Sequence, residues 1–380
     1  MKIAIIGLGH VAMANALALA RAHQVVMTGP LPDRIDAINR GTYGLNDPAL
    51  HDYCQQHKLD LCAVSDTGQA IDGAEMVFVC TPRSNDPAMS AANMAELDSR
   101  IEFVARRAAM APIVVRSAVP VGYCEAKRLE LKGAKIVYAP EFWREGHMLS
   151  DMLYPNFLIV GDRYALGRRV LEVLSGAALR SDIPTRQMGL TEAELIRHLS
   201  VQLQAARISY FNELDSYALH YGLNARQIID GVCLDPRIGT HSNNPCFGFA
   251  HRGLQRSCQN LQPYLDPART PLLAALEQAD CARIDMLVAN ITDQKPDAVC
   301  LYNPDMTKPL PPAMARIKQK LEGAGISTHV NDGRVPGLDA ITAGTAIILA
   351  QRAVPELAKL DAKLFVRDHF ASGAVPGSPQ

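Results

Sequence analysis

The residues of this chain whose types could do chemistry gather at two places. The first is Gly7-Leu8-Gly9-His10-Val11-Ala12, which follows the short apolar run Lys2-Ile3-Ala4-Ile5-Ile6 and opens an alanine-rich segment. Glycines at that spacing let the backbone approach a pyrophosphate, and a helix starting there adds partial positive charge. Alanine in the third place is an allowed form of this dinucleotide-binding fingerprint. The second place runs from Asp235 to Cys258, where Arg237, His241, Asn243, Asn244, Cys246, His251 and Cys258 crowd among Pro236, Gly239, Pro245 and Gly248. In a chain that is 48% hydrophobic, a loop this polar and broken reads as a site rather than as core. Its cysteines could act as nucleophiles and its histidines as bases. Buried bystander thiols and histidines in local hydrogen bonds are the commoner outcome.

A fold of this kind that binds NAD ends its second strand in an acidic residue gripping the ribose hydroxyls. Here the second strand, Gln24-Val25-Val26-Met27, ends in Thr28-Gly29-Pro30. Losing a carboxylate at Gly29 removes two charge-assisted hydrogen bonds, so NAD should be held weakly. Arg34 is near enough in sequence to meet the 2′-phosphate of NADP. Plain loss of cofactor binding is the alternative.

These groups need elements to position them. Further buried strands are expected at Met76-Val77-Phe78-Val79-Cys80, Ile113-Val114-Val115-Arg116 and Lys135-Ile136-Val137-Tyr138. A long helix should run from Leu190 to about Tyr221, its start marked by the capping box Thr191/Glu194 and its stop by Gly222. Ile196, Leu199, Leu203, Ala206, Tyr210, Leu214 and Tyr217 recur along it at the spacing of one buried face. About thirty residues give roughly 45 Å, enough to cross between domains. A second αβ pattern begins at Pro296–Asn303, continues as a helix over Arg316–Leu321 and returns as a strand over Ile326–Val330. The expected fold is therefore α/β: two Rossmann-like, doubly wound parallel-sheet domains joined by a long central helix. Their bounds are 1–188, 189–221 and 222–370, with a loose tail over 371–380.

At 380 residues the chain exceeds one comfortable core. A formal net charge of −1 argues against nucleic acid as a partner. Nine scattered cysteines suggest no disulfide framework and no metal site, and fit a reducing cytoplasm. No run approaches the roughly eighteen apolar residues of a membrane span. Lys2 and the apolar stretch ending near Ala20 have the outline of a signal peptide, but the Gly-x-Gly fits a strand–turn–helix better.

The runs Tyr210-Phe211-Asn212-Glu213-Leu214-Asp215-Ser216-Tyr217, Gly231-Val232-Cys233-Leu234-Asp235-Pro236-Arg237-Ile238-Gly239, Asn243-Asn244-Pro245 and Ala139-Pro140-Glu141-Phe142-Trp143-Arg144-Glu145-Gly146 resemble those of UDP-glucose 6-dehydrogenases, in their short bacterial form. The resemblance covers nearly the whole chain and thins after about residue 260. It implies oxidation of a UDP-sugar C6 alcohol to a carboxylate with two NAD, in a homodimer paired through the long helix. It places Gly7, Gly9, Val11, Ala12, Gly29, Arg34, Thr81, Pro82, Arg83 and Glu145 around the cofactor. It places Glu141, Phe142, Trp143, Arg144, Arg197, Arg237, Ser242, Asn243, Phe249 and Lys308 around the UDP-sugar, and gives Glu141 and Glu145 catalytic roles.

The same resemblance exposes what is missing. Such a reaction needs a thiol to capture the aldehyde, donors for the oxyanion and an activated water. The family writes its nucleophile loop Phe-Gly-Tyr-Gly-Gly-Tyr-Cys-Leu-Pro-Lys-Asp; this chain reads Phe247-Gly248-Phe249-Ala250-His251-Arg252-Gly253-Leu254-Gln255-Arg256-Ser257. The thiol position is Gly253 and the aspartate position Ser257. The helix lysine and asparagine are Arg197 and Val201, and a threonine near the sugar is Ala118. Arginine stays protonated, and valine and alanine donate nothing. Cys246, or less favourably Cys258, could replace the thiol. Two readings follow: a catalytically impaired nucleotide-sugar-binding or regulatory homologue, and an active NAD(P)-dependent dehydrogenase with altered two-electron chemistry or a relocated cysteine.

Overall fold

The computed structural model describes residues 1–80, 87–144, 146–249, 252–303, 309–331, 347–354, 357 and 363–370. The chain divides into two compact units, Met1–Arg197 and His198–Gln380.

The first unit runs β1 (Lys2–Ile6), α1 (His10–Ala20), β2 (Gln24–Thr28), α2 (Pro32–Asn39), α3 (Leu50–Gln56), β3 (Leu61–Val64), α4 (Thr67–Ile71), β4 (Met76–Val79), α5 (Pro87–Arg107), β5 (Ile113–Val115), α6 (Tyr123–Glu130), β6 (Ile136–Tyr138), α7 (Met148–Leu153), β7 (Leu158–Gly161), α8 (Ala165–Ala177), β8 (Thr185–Met188) and the start of α9 (Leu190–His220). The eight strands lie in the order β3-β2-β1-β4-β5-β6-β7-β8. Chain order reverses at β1, which pairs with β2 through Lys2↔Gln24 and with β4 through Ile3↔Met76. Alternate residues of β1 serve different cores: Ile3 and Ile5 pack with Met13 and Leu17 of α1. Ala4 and Ile6 pack with Leu97, Ile101 and Val104 of α5. Helices therefore cover both faces, which is why these strands read as continuous apolar runs. The sheet departs from the all-parallel expectation at one joint. β6 and β7 meet antiparallel at Tyr138↔Gly161, so β7 and β8, parallel to each other, run against the other six.

The second unit continues α9 and adds α10 (Ala225–Cys233), α11 (Arg252–Leu261), α12 (Pro271–Thr292), β9 (Ala298–Tyr302), α13 (Pro312–Gly323), β10 (Ser327–Asn331), β11 (Ile347–Leu349) and β12 (Lys363–Phe365). Its four strands are parallel in the order β10-β9-β11-β12. Phe247 is central to its main core, with Ile284 and Leu287 of α12, Val299 and Leu301 of β9, and Ile317 of α13.

Three local expectations are corrected. The long helix forms as read, over 31 residues, and stops at Gly222 with φ +66°. Its start is not a capping box, because Glu194 points elsewhere. The buried Glu194 carboxylate accepts from the backbone N–H of Gly122 (2.6 Å) and Cys124 (2.8 Å), capping α6 from another element. Burial pushes this carboxyl upward against those two donors. Second, the apolar stripe of α9 faces outward: Leu203 is 65%, Tyr210 49% and Tyr217 59% exposed, while Glu194, His198, Gln202, Asn212 and Asp215 are buried. Third, the loop read as too polar for core is core over Pro245–Phe249.

Candidate functional site

In the first unit, β1 delivers the chain into a turn that only glycine fits at its first position. Gly7 has φ +132°, and a Cβ there would lie 2.2 Å from the Cys80 carbonyl oxygen. Gly9 is the N-cap of α1 in extended conformation, with no side chain bonded over it. The first-turn N–H groups, from His10, half-buried Val11 and buried Ala12, are the kind of donors that hold a pyrophosphate. The residues present therefore suit the phosphate part of a dinucleotide.

The ribose end differs. A Cβ on Gly29 would sit 2.8 Å from Leu8 Cγ. Arg34, in the first turn of α2, donates through Nε to the Leu8 carbonyl (3.4 Å) and through Nη2 to the Tyr43 carbonyl. Thr81, Pro82, Arg83, Glu145 and Lys308 lie outside the described residues.

After β6 the chain turns through Glu141, and the carboxylate is fully engaged. Oε1 accepts from Asn15 Nδ2 (2.8 Å) and Arg116 Nε (3.0 Å), and Oε2 from Trp143 Nε1 (2.8 Å). Arg116 and Glu141 are both buried, so the ion pair is held in low dielectric. Arg144 is tied to Asp151, with Nη2 2.7 Å from Oδ1. Phe142 stacks at a tilt on Phe157, ring centres 4.8 Å apart. Around them lies a cavity of ≈170 Å³ lined by Arg116, Glu141, Phe142, Trp143 and Phe157 among others. That is room for a ring-sized group and short of the roughly 300–1,000 Å³ of a typical ligand site. Ala118 is half-buried in the loop whose far end Glu194 fixes.

In the second unit α9 carries the loop that was singled out. Arg207 donates to the carbonyls of His241 (2.8 Å) and Ile238 (2.8 Å). Asn212 Oδ1 accepts from Cys246 N (2.8 Å), and Asp280 accepts from Phe249 N (2.6 Å). Asn244 is clipped twice: Nδ2 donates to Asp368 (2.7 Å) and Oδ1 accepts from His369 N (3.2 Å). Asn243 donates to the Cys233 sulfur (3.5 Å), and Ser242 turns the chain at φ +57°. Arg237 is exposed and paired with Asp235 at 2.6 Å. The loop is therefore built and held, with Phe249 serving as buried packing.

Of the positions where chemistry was expected, Val201 sits in apolar surroundings. Val201 packs with Ala205, Phe249, Leu254, Cys258 and Leu276. Gly253 is exposed in the first turn of α11, and a Cβ there would meet no described atom within 4 Å. Buried Ser257 uses its carbonyl to accept from Gln202 Nε2 (3.2 Å). Arg197, one turn before Val201, is half-buried. Burial, followed by the charges of Asp280 and Glu277, pushes the Cys258 thiol up to about 12. Cys246 is buried and its thiol donates to the Gly248 carbonyl (3.0 Å). Among the described residues no three His, Cys, Asp or Glu side chains are placed to hold a metal.

Two family models match the chain. The NAD binding domain of the UDP-glucose/GDP-mannose dehydrogenase family covers residues 1–174, and the central domain of that family covers residues 191–280. The chain belongs to the UDP-glucose/GDP-mannose dehydrogenase family. The UDP-glucose 6-dehydrogenase of Streptococcus pneumoniae is 29% identical over 391 residues, covering 97% of this chain and 99% of that protein. That of Campylobacter jejuni is 28% identical over 80% of this chain and 77% of its own. Among solved structures, a UDP-glucose dehydrogenase from Pyrobaculum islandicum superposes with TM-score 0.73 at 19% identity, covering 97% and 94% of the two chains. A UDP-D-ManNAc dehydrogenase from Pyrococcus horikoshii gives TM-score 0.78 at 17% identity, covering 99% and 97%. At those identities the likeness speaks for the fold.

Within this family member, sequence reading missed the buried polar residues that hold the candidate segments in place. Asn15 and Arg116 converge on Glu141, and Glu194 fixes the loop after β5. Asp280 and Arg283, one turn apart on α12, hold the Asn-Pro loop, Arg283 through the Cys246 carbonyl (3.1 Å). The available signal was a polar residue inside an otherwise apolar element: Asn15 among the alanines of α1, and Arg116 closing an all-apolar strand.

Proposed function

We propose that this chain is a UDP-glucose 6-dehydrogenase homologue whose catalysis is impaired or lost, and that it acts as a nucleotide-sugar-binding or regulatory protein of polysaccharide synthesis. The observation that carries this reading is position 253, where glycine stands in place of the thiol that would trap the aldehyde. Two further observations support it. Cys258 and Cys246, the nearest candidates for a relocated nucleophile, are both buried, and the first is held in its protonated form far above neutral pH. Val201, where the resemblance expects the helix asparagine, belongs to an apolar cluster. The proposed ligand is a UDP-sugar. The proposed cofactor is NAD, weakened by Gly29, with NADP admitted by Arg34. The proposed assembly is a cytoplasmic homodimer formed through the outward stripe of α9. Among the described residues no helix is long and apolar enough to cross a membrane.

The test is a nicotinamide-reduction assay with UDP-glucose and either NAD or NADP, beside thermal denaturation with UDP-glucose and UDP-glucuronate. Ligand at a hundredfold excess over its dissociation constant stabilises by about 2.7 kcal/mol, a rise of several degrees in Tm. The expected outcome is that rise without turnover. Steady reduction would instead establish the altered two-electron dehydrogenase, and the absence of any shift would remove the nucleotide-sugar reading.

A further inference from the structure

We propose that the cavity between the C-terminal ends of α1, α7 and α8 is a binding site of its own, which takes one neutral six-membered aromatic ring carrying an acceptor oxygen. It goes beyond the sugar-nucleotide reading and does not rest on it. Ala18 and Leu19 of α1, Met152 of α7, and Leu174 and Ala177 of α8 line the cavity. Ala18 lies eight residues along α1 from His10, about 12 Å from the turn suited to a pyrophosphate. The cavity and that turn therefore lie towards opposite ends of one helix.

Size, walls and charge each narrow the occupant. At ≈170 Å³ the cavity is close in size to an apolar one of about 150 Å³ that takes benzene. Its walls suit a flat ring. The Trp143 indole is fixed by its hydrogen bond to Glu141 Oε2 (2.8 Å), and Phe142 and Phe157 pack with ring centres 4.8 Å apart. Two charges of each sign line the space, Arg116 with Glu141 and Arg144 with Asp151, paired at 3.0 and 2.7 Å. An entering ion would find no spare counter-charge to offset its desolvation. One donor is left over. Arg116 is 6% exposed and gives Nε to Glu141 and Nη1 to the Ala139 carbonyl (3.1 Å). Its Nη2 has no acceptor among the described residues. A buried guanidinium N–H in that position on a cavity wall selects a ring that brings an acceptor oxygen with it.

The experiment follows the fluorescence of Trp143, the one tryptophan of the chain, while the full-length protein is titrated with benzamide, benzamidine and benzoate. The three are nearly isosteric. Benzamide should give a saturable change with a dissociation constant of about a millimolar, as suits so small a ligand. Benzamidine, a cation without an acceptor, and benzoate, an anion, should each bind at least about tenfold more weakly. Ala177→Leu fills the cavity and should abolish the benzamide response. Phe157→Ala, at a partly exposed wall, should weaken it about fivefold and keeps the test open if Ala177→Leu does not fold. Added UDP-glucose should leave the benzamide constant unchanged. The proposal is overturned by the lack of a saturable response at ten times that concentration, or by benzamidine or benzoate binding as tightly as benzamide. It is also overturned if either folded variant binds like the unmodified protein, or if UDP-glucose displaces the ring, which would assign the cavity to the sugar nucleotide.

Discussion

At position 141 the sequence offers a carboxylate, and the structure shows what that carboxylate is already doing. Both oxygens of Glu141 have donors, and one donor, Arg116, is a buried cation with no other carboxylate against it among the described residues. Removing one partner of such a pair leaves an uncompensated buried charge and costs about 3–5 kcal/mol. Glu141→Ala should therefore lower the urea midpoint by a corresponding amount. An unchanged midpoint would mean that the buried pair does not stabilise the fold. Position 253 makes the opposite case. It is exposed, and a Cβ there meets nothing described within 4 Å, so a cysteine fits without repacking. Gly253→Cys should react readily with a maleimide, helped by its place in the first turn of α11. It should not gain turnover, because general acid–base help worth roughly 10²–10⁴ in rate remains absent at Arg197, Val201 and Ser257. Reduction of NAD by this variant at an ordinary enzymatic rate would show that those other replacements are harmless.

Helix α9 shows how the same element can be read correctly in extent and wrongly in orientation. Its length, its end at Gly222 and its 3.6-residue apolar period were all legible. The side that turns inward is a mixed one, where Ala205, Phe211 and Ala218 are buried beside His198, Gln202, Asn212 and Asp215. Gln202, Asn212 and Asp215 find partners there in α11, in the loop before it and in α12. A helix buries whichever face has the better set of partners, and the moment of the apolar side cannot report that. Leu203, Tyr210 and Tyr217 are left as an exposed apolar stripe of the kind that marks an interface. If α9 pairs with a second copy of itself, Leu203→Asp with Tyr210→Asp should halve the mass seen by size exclusion with light scattering. A mass of one chain for the unmodified protein would end the dimer reading.

Across the second unit one carboxylate collects partners from two distant parts of the chain. Asp215 on α9 meets Arg283 of α12 at 2.5 Å, and Arg367 and His369 from the segment after β12. Burial alone pushes this carboxyl up, but hydrogen bonds from His369 and Arg367 and the charge of Arg283 outweigh it and hold it well below the ordinary range. A carboxylate depressed on folding adds stability that is full above its unfolded value of about 3.9 and is lost as pH falls towards its folded one. Acid unfolding of the intact chain should accordingly steepen below about pH 4. Asp215→Asn should be less stable at neutral pH and show a flatter acid limb, and identical limbs for the two proteins would refute this account. By itself the sequence determined the two αβ patterns, the fingerprint turn, the long helix and the replaced family positions. Each depends on local spacing or on the identity of a single residue. Only the tertiary structure decided that β7 and β8 run reversed, that Glu194 caps another helix, that Glu141 is an ion-pair partner and that Leu8 fills the place opposite Gly29. Those are contacts between residues far apart in the chain, and burial and pairing belong to the partner found, which no single stretch of sequence contains.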